Sequence, residues 1–112
     1  MKKRLLIYLV FVFCQLSISW AQSPKPRVLV FYKTLRYYHV SIPKGIAAIQ
    51  KLGQSHGFDV DTTLNADFFN ENTLKKYTAV IFLSTTGDVL NPIQEAEFQR
   101  YIQAGGGYVR SE

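Results

Sequence analysis

The sequence predicts one α/β domain, built on a mostly parallel β-sheet with helices on both faces. Two short apolar runs, Val28–Tyr32 and Ala79–Leu83, are rich in β-branched and aromatic residues. Runs of this kind are typical of strands buried on both faces. Segments with apolar residues at helical spacing alternate with the strands, and such alternation indicates right-handed crossovers in a parallel sheet.

The first 21 residues have the pattern of a secretory signal peptide. Basic residues 2–4 precede an apolar run, Leu5–Cys14, and Ser19-Trp20-Ala21 has small residues at the two positions that determine cleavage. The run is short for a membrane span, which needs roughly 20 residues. We therefore predict cleavage after Ala21, rather than an uncleaved anchor, and a secreted or periplasmic protein. Residues 22–26 are then a linker, and residues 27–112 form the domain.

The formal charge of +5 comes mainly from the predicted signal peptide. That segment holds three of the 13 basic residues and none of the eight acidic ones, which leaves ten against eight, a net +2. Nucleic acid requires a clustered basic face, so no nucleic-acid partner is predicted. The lone cysteine, Cys14, also lies in the signal, so the mature domain has no thiol for a disulfide, a nucleophile or a metal.

The helix after the first strand is predicted to run from Ile42 to about Ser55. Ser41 precedes it as N-cap, where its hydroxyl can accept a backbone N–H of the first turn. Gly57 is placed to end the helix. Its buried face should carry the residues that recur at helical spacing, which are Ile42, Ile46, Ile49, Leu52 and Gly53.

The second strand, Phe58–Thr62, alternates apolar and polar residues, which indicates a half-exposed strand near a sheet edge. Asp59 and Asp61 share one face of this strand and are predicted to be solvated. An irregular connection with a turn follows, and a short helix, Glu71–Lys76, leads into the third strand.

The last predicted helix begins at a capping box, with Asn91 at N-cap, Pro92 at N1 and Gln94 at N3. It runs to about Ala104 and ends at three glycines. Its inner face should carry Phe98, Tyr101 and Ile102.

A fourth strand begins at Tyr108, and no helix follows it. A strand in a parallel sheet needs cover on both faces. We therefore expect a sheet truncated after the start of its fourth strand. The apolar surface left uncovered predicts a domain that is marginally stable, loosely packed or self-associating.

Four ordered motifs resemble the N-terminal half of a ThuA-like (trehalose-utilisation) domain. They are VLVFYKT at 28–34, HVSIPKGI at 39–46, FLSTTGD at 82–88 and FQRYIQAGGG at 98–107. The resemblance covers Arg27–Val109. It implies a three-layer, flavodoxin-like sandwich related to the class I glutamine amidotransferase fold, and a role in carbohydrate metabolism.

Two positions depart from the pattern of that family. The family usually has an arginine before the histidine that matches His39, where this chain has Tyr38. After the glycine run and strand, the family usually continues with a Gly-x-His turn, where this chain reads Val109-Arg110-Ser111-Glu112. The resemblance therefore implies that this chain lacks the Gly-x-His turn that the family uses and is catalytically inactive alone.

The polar residues that follow the first and third strands form the candidate site. Ligands of open parallel sheets bind outside the carboxyl ends of the strands, so the two loops face each other if the two strands are neighbours. His39 and Asp88 are the catalytic candidates, since imidazole titrates near neutrality and a carboxylate can act as a base or bind sugar hydroxyls. The candidate substrate-binding residues are Lys33, Thr34, Ser41, Thr85, Thr86 and Gly87.

Each candidate also has a purely structural interpretation. His39 can be a helix-entry residue packed near Ser41, Asp88 a turn former, and Thr85 and Thr86 caps of exposed backbone. Lys33 can be a solvated loop cation.

The sequence lacks a glycosidase pair of carboxylates, a metal-binding cluster and a phosphate loop. No cofactor or metal is predicted, and the predicted partner is a small carbohydrate. A non-catalytic carbohydrate-binding or interaction module of the same fold is the alternative function.

Overall fold

A computed structural model describes residues 24–111 of the chain. The strands are β1 (Arg27–Phe31), β2 (Asp59–Thr63), β3 (Ala79–Leu83) and β4 (Gly107–Ser111). The helices are α1 (Ile42–His56), α2 (Glu71–Leu74) and α3 (Pro92–Gln103), with a 3₁₀ turn at Ala66–Phe68. The predicted signal peptide and Cys14 lie outside the described residues. Within residues 24–111, no helix has both the length and the apolar character needed to cross a membrane.

The four strands form one parallel sheet in the order β2-β1-β3-β4. β1 is central and pairs with β2 on one side and β3 on the other. The parallel sheet and the edge position of β2 are therefore confirmed. β4 pairs with β3 along five residues, so it is a full strand where the sequence predicted only a beginning.

Helices cover both faces of this sheet and give it three layers, as predicted. On one face, Leu29, Phe31, Val80 and Phe82 form a core with residues of α2, α3 and the connections before them. On the other face, Val30 and Leu83 pack against α1. Phe69, which follows the 3₁₀ turn, lies in the first core, with edge-on ring contacts to residues of β1, β3 and α3: Phe31, Phe82 and Phe98.

The two ends of α1 differ in how well the sequence predicted them. Gly57 ends the helix as predicted, in the left-handed conformation (φ 77°), and its N–H donates to the Gly53 carbonyl at 2.9 Å. Ser41 occupies the N-cap position, but the predicted side-chain cap is wrong because its hydroxyl makes no capping hydrogen bond. The Ser41 backbone is helical (φ −78°, ψ −8°), whereas a capping side chain normally starts from an extended backbone.

Two residues of the predicted buried helix faces are exposed. Leu52 of α1 and Ile102 of α3 both have large accessible surfaces. In α1 the neighbouring Gly53 makes the close contact instead, since a Cβ there would lie 2.6 Å from the Phe58 carbonyl oxygen. Helical spacing placed Leu52 and Ile102 on the apolar side of each helix, and both remain outside the contact with the sheet.

The capping box of α3 is confirmed in both directions. The Asn91 side-chain oxygen accepts the Gln94 backbone N–H at 2.8 Å, and the Gln94 side-chain oxygen accepts the Asn91 N–H at 2.9 Å. The two bonds satisfy two backbone donors at the start of the helix and fix where it begins.

The acidic face of β2 is paired rather than simply solvated, which corrects the prediction. Arg27 donates through Nη1 to both carboxylate oxygens of Asp61, at 3.1 and 3.0 Å. The Tyr77 hydroxyl donates to Asp61 Oδ2 at 2.8 Å. Asp59 forms ion pairs with Lys25 at 3.2 Å and with Arg27 at 3.7 Å. The Tyr77 side chain is only 7% exposed, and burial together with the bond to Asp61 raises the pKa of Tyr77 to about 12.

Candidate functional site

The two predicted site loops meet at the carboxyl end of the sheet. β1 and β3 are neighbours, and the pairing continues past their ends as a parallel bridge between Thr34 and Thr86. The Leu35 N–H donates to the Thr86 carbonyl at 2.9 Å. The fold therefore brings the loops after β1 and β3 together, as the sequence predicted for neighbouring strands.

The Thr86 hydroxyl joins the two loops. Its Oγ1 accepts backbone N–H groups of Arg36 at 3.2 Å and of Tyr37 at 3.1 Å, and it donates to the Tyr37 carbonyl at 3.0 Å. A threonine hydroxyl has one donor and two acceptor positions, so these three bonds use its full capacity. Thr86 thus caps exposed backbone, which was the structural alternative for this residue.

Backbone conformation shapes the loop after β3 at two positions. Ser84 is buried and has a positive φ of 50°, and its N–H donates to the Ser111 hydroxyl of β4 at 3.2 Å. Positive φ is uncommon for a residue with a side chain. Gly87 has φ 81°, and a Cβ there would lie 3.0 Å from the Leu35 Cβ. Gly87 therefore allows both the turn and the close approach of the two loops.

His39 lies half-buried at the entry to α1. Its carbonyl accepts the Ile42 N–H at 3.1 Å, so its backbone belongs to the turn that begins the helix. The imidazole ring is in edge-on contact with the Tyr37 ring, with a centroid distance of 4.8 Å and an interplanar angle of 83°. His39 is therefore a helix-entry residue whose ring packs on the loop.

The other candidates line an open shelf. Asp88, Ser41 and Gly87 are exposed, whereas the remaining candidates, Lys33, Thr34 and Thr85, are half-buried. Among residues 24–111, the Asp88 carboxylate has no hydrogen-bond or ion-pair partner. An unpaired carboxylate on a shelf of hydroxyls and one lysine can accept hydrogen bonds from a polyhydroxylated ligand.

A cleft of about 670 Å³ lies at the opposite end of the sheet. Tyr77 and Thr78 precede β3, and Gly106 precedes β4, so this cleft opens at the amino end of those strands, between α2 and α3. The Tyr101 hydroxyl donates to the Tyr77 carbonyl at 2.9 Å in its wall, and burial raises the pKa of Tyr101. The lining of the cleft includes none of the eight candidate residues, so cleft and shelf are separate features.

The family model described as "ThuA: Trehalose utilisation" matches residues 27–111, which is most of the chain. The chain belongs to the trehalose-utilisation (ThuA) family. The match includes both loops of the candidate shelf and all four strands.

One solved structure similar to this ThuA-family chain is the crystal structure of a ThuA-like protein from Bacteroides uniformis. The two chains are 24% identical and superpose with a TM-score of 0.65. The superposition covers 80% of this chain and 37% of the Bacteroides protein, so it supports the fold and involves a minority of that protein's length. A comparison with curated proteins gave no match.

Sequence reasoning missed Tyr37 in this ThuA-family site. It lies in the loop after β1, where its backbone is bonded to Thr86 of the other loop and its ring contacts that of His39. The signal that could have found it was the presence of aromatic side chains in a short polar loop after a buried strand. Such a loop cannot bury all of them, and exposed aromatic groups can mark a binding surface.

Proposed function

We propose that this ThuA-family chain binds a small carbohydrate at the shelf formed by residues 33–41 and 84–88. The observation that carries the proposal is the Thr34–Thr86 bridge, which brings the two polar loops together at the carboxyl end of a parallel sheet. Open parallel sheets bind their ligands at that end. The family's description, trehalose utilisation, supports a disaccharide or polyol as the ligand class.

His39 and Asp88 are the proposed acid–base groups of the shelf. The Asp88 carboxylate is exposed and without a partner among the described residues, and the His39 ring is half-buried beside Tyr37. Lys33, Thr34, Ser41, Thr85 and Gly87 supply side-chain and backbone polar groups around them. The Lys33 ammonium can donate hydrogen bonds to sugar hydroxyls, and the threonine hydroxyls can donate or accept them.

We propose that this chain binds sugar but does not hydrolyse it alone. Most glycosidases need two carboxyl groups, one as acid and one as base or nucleophile. Asp88 is the only carboxylate between residues 33 and 41 or between 84 and 90. The same observation supports the second candidate function, a non-catalytic carbohydrate-binding module in which Asp88 acts only as a hydrogen-bond acceptor.

Calorimetric titration of the 112-residue chain with disaccharides and polyols tests the proposed binding. We expect measurable affinity for at least one sugar, and loss of affinity in the double variant His39→Ala/Asp88→Ala. Lys75→Ala, on the loop after α2, is the matched control. A folded double variant with unchanged affinity, or no binding across the panel, would contradict the proposal.

Turnover distinguishes the two candidate functions. A longer member of the family, substituted at the positions that align with His39 and Asp88, should lose product formation if the shelf is catalytic. Product formation at the parent rate in that variant would support the binding module instead.

A further inference from the structure

Residues 35–40 present an unusual surface for a loop. Leu35, Tyr37, Tyr38 and Val40 are all exposed, and the Tyr37 side chain is 62% exposed. Apolar side chains that cluster in one short exposed segment often mark a binding surface. The segment is part of the candidate shelf, and its Tyr37 contacts both His39 and Thr86.

The backbone of Tyr37 is held although its side chain is exposed. Its N–H donates to Thr86 Oγ1 at 3.1 Å, and its carbonyl accepts from the same hydroxyl at 3.0 Å. Both backbone groups of one residue are thus bonded to a single side chain from the neighbouring strand's loop. Tyr38, which is 50% exposed, has no such bond among the described residues.

The ring of Tyr37 is oriented as well as anchored. Its centroid is 4.8 Å from that of the His39 imidazole, and the two planes are nearly perpendicular at 83°. In an edge-to-face pair, the partner can cover at most one face of either ring. Because the side chain is 62% exposed, an uncovered face of the Tyr37 ring is open to solvent.

We propose that Tyr37 is the stacking platform for a pyranose ring at the shelf, and that Thr86 is the residue that positions it. This inference rests on the proposed carbohydrate function and names the contact that selects the ligand. A pyranose has an apolar face of C–H groups and a rim of hydroxyls. The apolar face packs on the Tyr37 ring, and the hydroxyls bond to the polar groups of Lys33, Thr85 and Asp88.

The rigidity of Tyr37 explains why it, rather than its neighbours, has this role. A tyrosine has few rotatable bonds, so it offers contact area at a low cost in conformational entropy. The bonds to Thr86 and the contact with His39 fix the position of Tyr37 before any ligand arrives. Such preorganisation increases affinity because less freedom is lost on binding.

Calorimetry and saturation-transfer NMR on the 112-residue chain, titrated with trehalose and other glucose disaccharides, test the proposal. Tyr37→Ala should weaken binding by about tenfold or more, and Tyr37→Phe, which keeps the ring, should restore most of the affinity. Tyr38→Ala is the matched control, an exposed neighbouring tyrosine outside the anchored pair, and should bind as the parent does. Saturation of the aromatic protons should transfer to the sugar C–H protons in the parent, in Tyr37→Phe and in Tyr38→Ala, and should be lost in Tyr37→Ala.

The positioning role of Thr86 has its own pair of variants. Thr86→Val keeps the shape but removes all three hydroxyl bonds, and should weaken both sugar affinity and the Tyr37–His39 ring contact seen by NMR. Thr86→Ser should recover both. Circular dichroism confirms that each variant is folded.

The possible failures are distinguishable. If the parent binds a sugar and Tyr37→Ala binds it equally well, the stacking inference is overturned and the proposed function stands. If affinity falls in Tyr38→Ala but not in Tyr37→Ala, the platform has been assigned to the wrong residue. If the parent binds none of the sugars, the inference and the proposed function both fall.

Discussion

The two edge strands of the sheet, β2 and β4, differ in the side chains that they carry. One row of paired residues begins with Asp61 on β2, crosses Leu29 and Val80, and ends with Tyr108 on β4. Asp61 is bonded to Arg27 and Tyr77, whereas Tyr108 is 44% exposed. In the next row, the polar Thr62 lies at the β2 edge and Val109, 54% exposed, lies at the β4 edge.

The difference shows that paired charged side chains protect the β2 edge, whereas exposed Tyr108 and Val109 lie at the β4 edge. Natural sheets protect their edges with charged groups, because an exposed strand offers unpaired N–H and C=O groups to another chain. The Asp59 and Asp61 carboxylates, with Lys25 and Arg27, supply that protection at β2. At β4, exposed tyrosine and valine side chains accompany the open backbone edge, so this is where we expect association.

The largest expected effect on stability comes from removing the Asp61 carboxylate, which bonds both Arg27 and Tyr77 at the β2 edge. Asp61→Ala leaves the nearly buried Tyr77 hydroxyl without its acceptor and should lower the free energy of unfolding by about 1–3 kcal/mol. Asp59→Ala removes only exposed ion pairs and should cost less than about 1 kcal/mol. Urea denaturation of both variants measures the difference, and equal costs would show that the Asp61 network adds nothing to the edge.

The same network should give the edge a dependence on alkaline pH. The folded-state pKa of Tyr77, raised to about 12 from an ordinary 10.0, means that folding favours the protonated hydroxyl. Its stabilising contribution is complete below pH 10 and is lost as the pH rises from 10 to 12. Tyr77→Phe should therefore have a lower free energy of unfolding than the parent below pH 10, and this difference should become smaller as the pH approaches 12. A difference in free energy of unfolding that does not change with pH would contradict this role of the Tyr77 hydroxyl.

At the other edge, a charge should reduce self-association. We expect the chain to associate in a concentration-dependent manner through β4, and Val109→Lys to weaken that association by about tenfold, roughly 1.4 kcal/mol. Thr62→Lys, the exposed residue at the other end of the same row, is the control and should leave association unchanged. Sedimentation velocity over a range of concentrations measures this association. A parent chain that stays monomeric would contradict the prediction that the β4 edge associates.

The smallest effect concerns the helix that supports β4. Phe98 of α3 contacts the Tyr108 ring at a centroid distance of 5.3 Å, so the start of α3 affects this edge indirectly. Asn91→Ala removes the capping box and should lower the free energy of unfolding by about 1 kcal/mol. Ile93→Ala, an exposed residue of the same turn, should change it by less than about 0.5 kcal/mol. Equal changes in the two variants would mean that the box contributes no stability.

Local pattern was enough to predict most of the fold. The apolar runs located β1 and β3, Asn91 and Gln94 located the start of α3, and Gly57 located the end of α1. Each of these signals depends on residues within one turn or one strand. The sequence also predicted that the loops after β1 and β3 would face each other if the two strands were neighbours, and the two strands are paired.

The features that sequence missed depend on contacts between distant residues. The Asp61 bonds reach Arg27 and Tyr77 across the sheet, and the Thr86 bonds reach Tyr37, 49 residues away in sequence. Periodicity also cannot show whether a helix face is covered, and so Leu52 was placed in the core. The Ser41 error has the same origin, since cap geometry depends on a backbone conformation that residue type does not fix.

The central place of β1 has a consequence for how quickly the chain can fold. β1 pairs with β2 about 30 residues later and with β3 about 50 residues later, and every pairing in the sheet is parallel. The four described strands form no hairpin that could serve as a local starting point, so the entropy of closing long loops is lost before the first strand pair forms. Folding should therefore be slow for a domain of this size, and α1 and α3, which are local, should form before the sheet is assembled. During that interval, Leu29, Val30 and Phe31 are exposed to solvent and to other chains.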